Sequence, residues 1–346
     1  MSDLEVNEAT STAAPGFRPE LVCPAGTPAA LRAAVDAGAD AVYCGYAGPT
    51  NARNFPGLNF SREEMAESVR YAHARGAKVL VTINSFAPAG RFDEWRAAVD
   101  DAVAASADAL IMCDIGVLDY AATTYPDQRL HLSVQAGASS PEAVEWYVRE
   151  FGIRRVVLPR ILTVAEIRRV QEQISCEIEA FVFGNIGMMA EGRCSLSSYA
   201  TGRSTNMDGV CSPADQVAYE EDAEGYLCSR LGGFTIDRYA TGENAGYPTI
   251  CKGRYDTPVG RCQYVFEEPR SLNLVPLLPD LVAAGVTALK IEGRQRSKAY
   301  VRAVVSAFRQ ALDELAAGRR PDIAALAALA EGQRTTTGAF GSKAWR

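Results

Sequence analysis

Eight short apolar runs punctuate this chain, and a segment of helical amphipathicity follows nearly every one. They read ELVCPAG (20–26), DAVYCG (40–45), AKVLVTIN (77–84), ADALIMCD (107–114), LHLSVQA (130–136), RRVVLP (154–159), CEIEAFVFG (176–184) and TALKIEG (287–293). Several are apolar at successive positions, the pattern of strands covered on both faces. Strands alternating with helices imply a parallel sheet with right-handed crossovers. Eight of them suit a closed TIM-like (β/α) barrel, whose active site would lie at the C-terminal ends of the strands. A doubly wound open sheet is the alternative, weakened in its dinucleotide-binding form because no GxGxxG follows the first run.

Local signals mark the helices. Thr27 is placed to cap the first helix and Gly38 to end it. Ser61 with Glu64 forms a capping box before the second. Further helical patterns cover 92–106, 115–124, 141–150, 164–174, 275–284 and 298–317. Trp95 lies on an apolar stripe and reads as core.

The regularity breaks once, after the seventh run. An insertion over about 185–270 is rich in Gly, Ser, Thr and aromatic residues. By its place in the chain it emerges at the barrel's C-terminal face. The barrel with this insertion is expected to span 18–318. A disordered lead-in occupies 1–17, and a C-terminal tail over 319–346 packs on the barrel. The acidic N-terminus has no basic or apolar signal region, and no apolar run is long enough for a transmembrane segment, so a cytoplasmic protein is expected. A net charge of −7 argues against free nucleic acid as a partner.

The chain has nine cysteines. Cys23, Cys44, Cys113 and Cys176 fall in or beside strands and read as small buried hydrophobes. Cys194, Cys211, Cys228, Cys251 and Cys262 all fall in the insertion. Thiolates binding a metal would tie down a segment that has no core of its own. Four would suit zinc or an iron–sulfur cluster, although no CxxC pair is present. Incidental structural thiols and a nucleophilic or redox cysteine remain alternatives. There are only two histidines. His73 sits in a helical pattern, and His131 in the fifth strand faces either the barrel interior or the surrounding core. No Ser–His–Asp arrangement or HExxH motif is visible.

Several stretches together resemble the collagenase-like peptidase family U32: ELVCPAGTPAALRAAVDAGADAVYCG, NARNFPGLNFS, HLSVQA, AEGRCSLSSYATG, ALKIEGRQRS and EGQRTTTGAF. The resemblance runs from about residue 18 to the C-terminus. Within the family, VQAGASS, RRVVLPR, IDRYATGENAGYPTICKGRY and SLNLVPLLPDL look most like the UbiU branch of ubiquinone biosynthesis. That resemblance implies a TIM-like barrel carrying a 4Fe–4S cluster. It implies a heterodimer with a UbiV-like subunit and oxygen-independent hydroxylation of a quinone precursor, with prephenate as oxygen donor. Proteolysis is not implied for this branch. Residue by residue, Cys194, Cys211 and Cys251 match cluster ligands, while Gly187 stands where the family has its fourth cysteine. The fourth ligand is then Cys228, an external group, or none. An open iron, a 3Fe cluster and a lost cluster in a non-catalytic subunit all stay open. Related family members hydroxylate RNA bases, which is the competing function.

Near the end of the last strand, Lys290, Glu292 and Arg294 are the candidate substrate-binding set. A cation pair there suits a dicarboxylate such as prephenate; an ion pair among the three is the structural alternative. Asn84, Gln135 and Arg53 are further polar candidates at the barrel mouth. No residue is assigned as catalytic.

Overall fold

A computed structural model describes residues 18–187, 194–205, 211–319, 321, 324–330 and 334–341. The lead-in expected at 1–17 lies outside the described residues. Seven strands alternate with six helices: β1 (Glu20–Pro24), α1 (Pro28–Asp36), β2 (Ala41–Cys44), α2 (Arg62–His73), β3 (Lys78–Ile83), α3 (Phe92–Ala104), β4 (Ala109–Met112), α4 (Ile115–Thr124), β5 (Leu130–Leu132), α5 (Pro141–Phe151), β6 (Arg155–Val157), α6 (Val164–Gln171) and β7 (Glu177–Asn185). The insertion follows, with α7 (Ser195–Thr201), the strands β8 (Val217–Glu221), β9 (Leu227–Leu231) and β10 (Phe234–Tyr239), and the hairpin β11 (Arg254–Thr257) and β12 (Gly260–Tyr264). The chain then returns through β13 (Arg270–Asn273), α8 (Leu278–Ala283), β14 (Val286–Ile291), α9 (Lys298–Ala316), α10 (Ala324–Ala328) and β15 (Arg334–Thr336).

The parallel strands β1 to β7 pair in sequence order, and β14 pairs with both β1 and β7, which closes an eight-stranded barrel. Closure fixes register on both sides of β14: Val22 lies opposite Lys290, and Ala288 opposite Glu179. The long β7 outruns its barrel neighbours, and its last residues accept the antiparallel β13, which in turn pairs with β15. The C-terminal segment also buries Leu326 and Phe340. No described helix is long and apolar enough to cross a membrane.

Local chemistry follows the sequence closely. The Thr27 side chain caps α1, and Gly38, with φ of 98°, follows the cap residue Ala37. The Ser61–Glu64 capping box is present. Two expectations change. The fifth run is strand only to Leu132; the Ser133 hydroxyl then accepts the Gln135 N–H and turns the chain into a 3₁₀ turn at Val134–Ala136. The helix expected over 275–284 opens as a 3₁₀ turn and becomes α-helical only at Leu278, in a stretch where Pro276 and Pro279 withhold N–H donors.

Alternation along each strand produces two layers of burial. Outward residues such as Leu21, Val42, Val79 and Leu110 pack under the helices, with Trp95 and Phe308 fully buried among them. The inward set is small: Val22, Ala41, Tyr43, Leu80, Ala109, Ile111 and Ala288. Charge completes it. Glu179, fully buried, takes Lys290 at 2.5 Å and Arg155 at 3.2 Å. Arg155 also reaches Glu20 at 2.6 Å and Glu177 at 2.7 Å. His131 faces this interior, which settles its side. Its Nε2 accepts from Arg129 at 2.9 Å, and burial with the neighbouring cations holds it neutral, well below the ordinary histidine range.

Removing one partner of a buried pair strands the other charge. Glu179→Gln is therefore expected to lower stability by about 3–5 kcal/mol in denaturant unfolding. The double variant with Lys290→Met should recover most of that loss, because it removes the stranded ammonium as well.

Candidate functional site at the barrel mouth

The site residues sit on loops that leave the C-terminal ends of the strands. Glu292 follows β14 and receives two arginines. Arg160, beyond β6, approaches at 2.5 Å and lies 3.7 Å over the Phe181 ring. Arg53, from the loop after β2, approaches at 3.5 Å. Arg294 is buried by a different set of partners. Its Nη1 donates to Asn51 Oδ1 at 2.7 Å and Thr82 Oγ1 at 3.3 Å, and its Nη2 to Asn59 Oδ1 at 2.5 Å. All of these are neutral, and its buried Nε has no hydrogen-bond partner. Burial pushes this guanidinium down to about 10. Asn59 holds its place with a left-handed backbone, φ 78°, a conformation asparagine tolerates better than most residues.

The expected trio is therefore not an ion pair among its members. Lys290 points into the barrel, where Glu179 neutralises it and the Tyr43 ring lies 3.8 Å away. It does not join Arg294 as an open cation pair, because strand alternation and the register of β14 against β7 aim its ammonium at the layer below. Asn84 accepts the Ala52 N–H at 3.1 Å and donates to Ser133 at 3.3 Å, bracing the mouth. Gln135 is buried in the turn after β5. Arg160, Asn51, Asn59 and Thr82 are site residues that the sequence reading did not select. Arg160 stands just past the RRVVLP run and is reachable by the same strand-end logic; the asparagines carry no signal by spacing.

Three insertion thiols, Cys194, Cys211 and Cys251, come from separate segments of the insertion. Cys194 caps α7, its sulfur accepting the Ser197 N–H at 3.4 Å. Cys211 follows an undescribed stretch and precedes Ser212, whose carbonyl takes the Tyr247 hydroxyl at 2.9 Å. Cys251 lies in a 3₁₀ turn next to Lys252, whose ammonium bonds Asn185 Oδ1 at 2.8 Å and so anchors the turn to the end of β7. Desolvation of the sulfur raises the Cys211 thiol, although the residue as a whole is exposed, and burial raises Cys251; the Cys194 charge acts on both, and the Cys211 charge on Cys251. The Arg53 charge opposes the rise at Cys211, so Cys211 lies within electrostatic reach of one of the two Glu292 arginines.

Cys228 stands apart. It lies within β9 with its sulfur 3.6 Å from Asp222, and burial and Asp222 raise its thiol. Cys262 is exposed on β12. Gly187 lies just past β7, and a Cβ built there meets nothing within 4 Å. Among the described residues, no three His, Cys, Asp or Glu groups converge as a single metal ion requires. A four-iron cluster instead spreads its thiolates over separate corners, and three soft sulfurs from separate segments match that donor chemistry.

Gly45 makes the Arg294 cradle possible. A Cβ there would lie 2.5 Å from Thr82 Oγ1 and 2.8 Å from the Asn51 amide. Gly45→Ala is expected to cost about 1–3 kcal/mol by overpacking. Gly187→Ala, placed in open space, should stay within about 0.5 kcal/mol of wild type. Thermal unfolding of the two variants side by side checks both values.

The chain matches the sequence profile of Peptidase family U32 over residues 26–342. It is 34% identical over 321 residues to the tRNA hydroxylation protein P1 of Bacillus subtilis, covering 89% of this chain and 67% of that one. It is 31% identical over 329 residues to the tRNA hydroxylation protein P of Escherichia coli, covering 90% and 72%. Against the 23S rRNA 5-hydroxycytidine synthase of Escherichia coli it is 30% identical over 299 residues, covering 86% of this chain and 40% of that one. With a profile match running from the first βα loop to the C-terminal segment, this chain belongs to peptidase family U32.

Proposed function

We propose that this chain is the iron–sulfur subunit of an oxygen-independent hydroxylase that modifies the ring of a ubiquinone precursor, working with a UbiV-like partner and drawing oxygen from prephenate. The observation that carries the reading is the junction of two features. Arg53 pairs with Glu292 at the barrel mouth, and its charge also acts on Cys211. Cys211, a candidate cluster ligand, is within electrostatic reach of that arginine pair, and this supports the reading. Family relatives named for hydroxylation of tRNA and rRNA support hydroxylation as the reaction class.

The roles of the chain's own residues follow from the geometry. Cys194, Cys211 and Cys251 hold the cluster, which when bound supplies electron transfer or a Lewis-acidic iron. Arg294, buried with neutral partners only, takes a carboxylate of the oxygen donor; a charge-assisted pair there recovers part of what its burial costs. Glu292 orients Arg53 and Arg160 and keeps them from collapsing onto the bound anion. Lys290 and Glu179 form the floor. A peptidase reading finds no support in either histidine. His73 pairs with Asp108 at 2.9 Å on the surface, and His131 is enclosed in the barrel.

RNA base hydroxylation is the second reading, favoured by the identity to the tRNA hydroxylation proteins. Against it stand described arginines of the insertion that are matched by carboxylates: Arg203 with Asp215, Arg230 with Glu220, Arg238 with Asp222 and Arg254 with Asp237. Phosphate binding draws on unmatched cations.

Two measurements separate these readings. In a strain lacking the chain and grown without oxygen, quinone should fall and under-hydroxylated precursors accumulate, while tRNA hydroxylation persists. Normal quinone with unhydroxylated tRNA would transfer the assignment to RNA. In protein purified anaerobically, Cys194→Ala, Cys211→Ala and Cys251→Ala should each lose most of the iron and acid-labile sulfide. Cys228→Ala should keep both.

A further inference from the structure

We propose that Glu267 supplies the fourth protein ligand of the iron–sulfur cluster through its Oε2, at the corner that Gly187 leaves without a cysteine; the proposal rests on the cluster reading above. The Glu267 N–H donates to the Cys251 carbonyl at 3.2 Å, so the two residues lie side by side on adjoining backbone. Glu267 Oε2 is buried and has no hydrogen-bond partner. Glu267 as a whole is half-buried, so this one enclosed oxygen faces the protein side, where a metal is one group that would satisfy it.

The nearby cations are engaged elsewhere. Lys252 donates to Asn185 Oδ1 at 2.8 Å and to the Arg270 carbonyl at 3.1 Å. Arg270 pairs with Glu268 at 2.8 Å. Those same bonds bring the end of β7 to the Cys251 turn, and Gly187 stands two residues beyond Asn185. One neighbourhood therefore holds Cys251, the unsatisfied Glu267 oxygen and the open space at Gly187. Among the described cysteines and histidines, the other unassigned donors are elsewhere: Cys228 is against Asp222, Cys262 is exposed on its hairpin, His73 pairs with Asp108 on the surface, and His131 is enclosed in the barrel. A carboxylate carries the same formal charge as a thiolate, so three thiolates and Glu267 give the charge of a four-cysteine set. Its harder oxygen changes the potential rather than the charge balance.

The test compares wild type with Glu267→Gln, Glu267→Cys and the double variant Gly187→Cys/Glu267→Gln, all as the full chain purified without oxygen. Iron and acid-labile sulfide per chain, EPR and the midpoint potential are read, with circular dichroism as the check on folding. Wild type is expected to hold about four irons. Glu267→Gln should lose about one of the four and give the EPR signature of a three-iron cluster. Both Glu267→Cys and the double variant should hold four, at a shifted potential. Four irons with unchanged EPR and potential in Glu267→Gln would overturn the role of Glu267 and leave the cluster standing. Wild type without iron would overturn the cluster itself. Should Glu267→Gln fail to fold, Glu267→Cys decides alone: a shifted potential sustains the ligand, and an unshifted one overturns it.

Discussion

The carboxylate of Glu179 is the group on which the rest of this barrel depends. It sits fully buried between Lys290 of β14 and Arg155 of β6, and Arg155 continues the chain of charge to Glu20 of β1. These strands include the last to be added and the two it must join. Apolar side chains alone would tolerate several ways of closing the ring, since a slipped register still buries methyl groups. A charge that must find one particular partner does not. Pairing of this kind adds little net stability over a hydrophobic filling and acts mainly through the penalty it imposes on wrong arrangements. Once Lys290 is fixed against Glu179, Glu292 and Arg294 follow two and four residues later at a set height on the rim.

Two buried cations a few residues apart thus have opposite roles. Lys290 is compensated by a carboxylate and by the face of Tyr43, whose hydroxyl is itself tied to the Ile291 carbonyl. Arg294 has two asparagines and a threonine, which satisfy its geometry and not its charge. Neutral acceptors hold a guanidinium in position while leaving its field uncancelled. The barrel is electrostatically closed at its floor and open at its mouth, and that asymmetry is what a site for a small anion requires.

The sequence was most legible where periodicity and capping act locally. The eight runs, the Ser61–Glu64 box and the place of the insertion all appear in the fold. Legibility failed where partners lie far apart in the chain. Alternation puts Lys290 on the inner face of β14 but says nothing of Glu179, more than a hundred positions earlier, so a strand-end cation looked available when it was already paired. His131 was ambiguous for the same reason, because the face it occupies depends on which neighbours close around it. Arg160 was within reach by the rule that selected Asn84 and Gln135. Glu267 was not: in VFEEPR it reads as one more loop carboxylate, and only the folded backbone brings it beside Cys251.

The insertion shows why ligation matters to this architecture. Its own buried apolar residues are few, chiefly Leu231, Ile236 and Tyr239, whereas eleven of the fourteen exposed large hydrophobic residues described lie between 196 and 266. Its ion pairs are mostly solvent-exposed, and such pairs contribute about 1 kcal/mol or less each. A segment built this way has a folded state only slightly favoured by its own contacts. On the reading proposed here, the thiolates convert metal-binding free energy into folding free energy. Cys194 caps α7, Cys211 follows later in the insertion, and Cys251 is anchored through Lys252 to β7. The Lys252 bond therefore ties the Cys251 turn to the end of β7. On that reading structure and chemistry share one dependency, because loss of the cluster would remove the metal-binding free energy that stabilises the insertion.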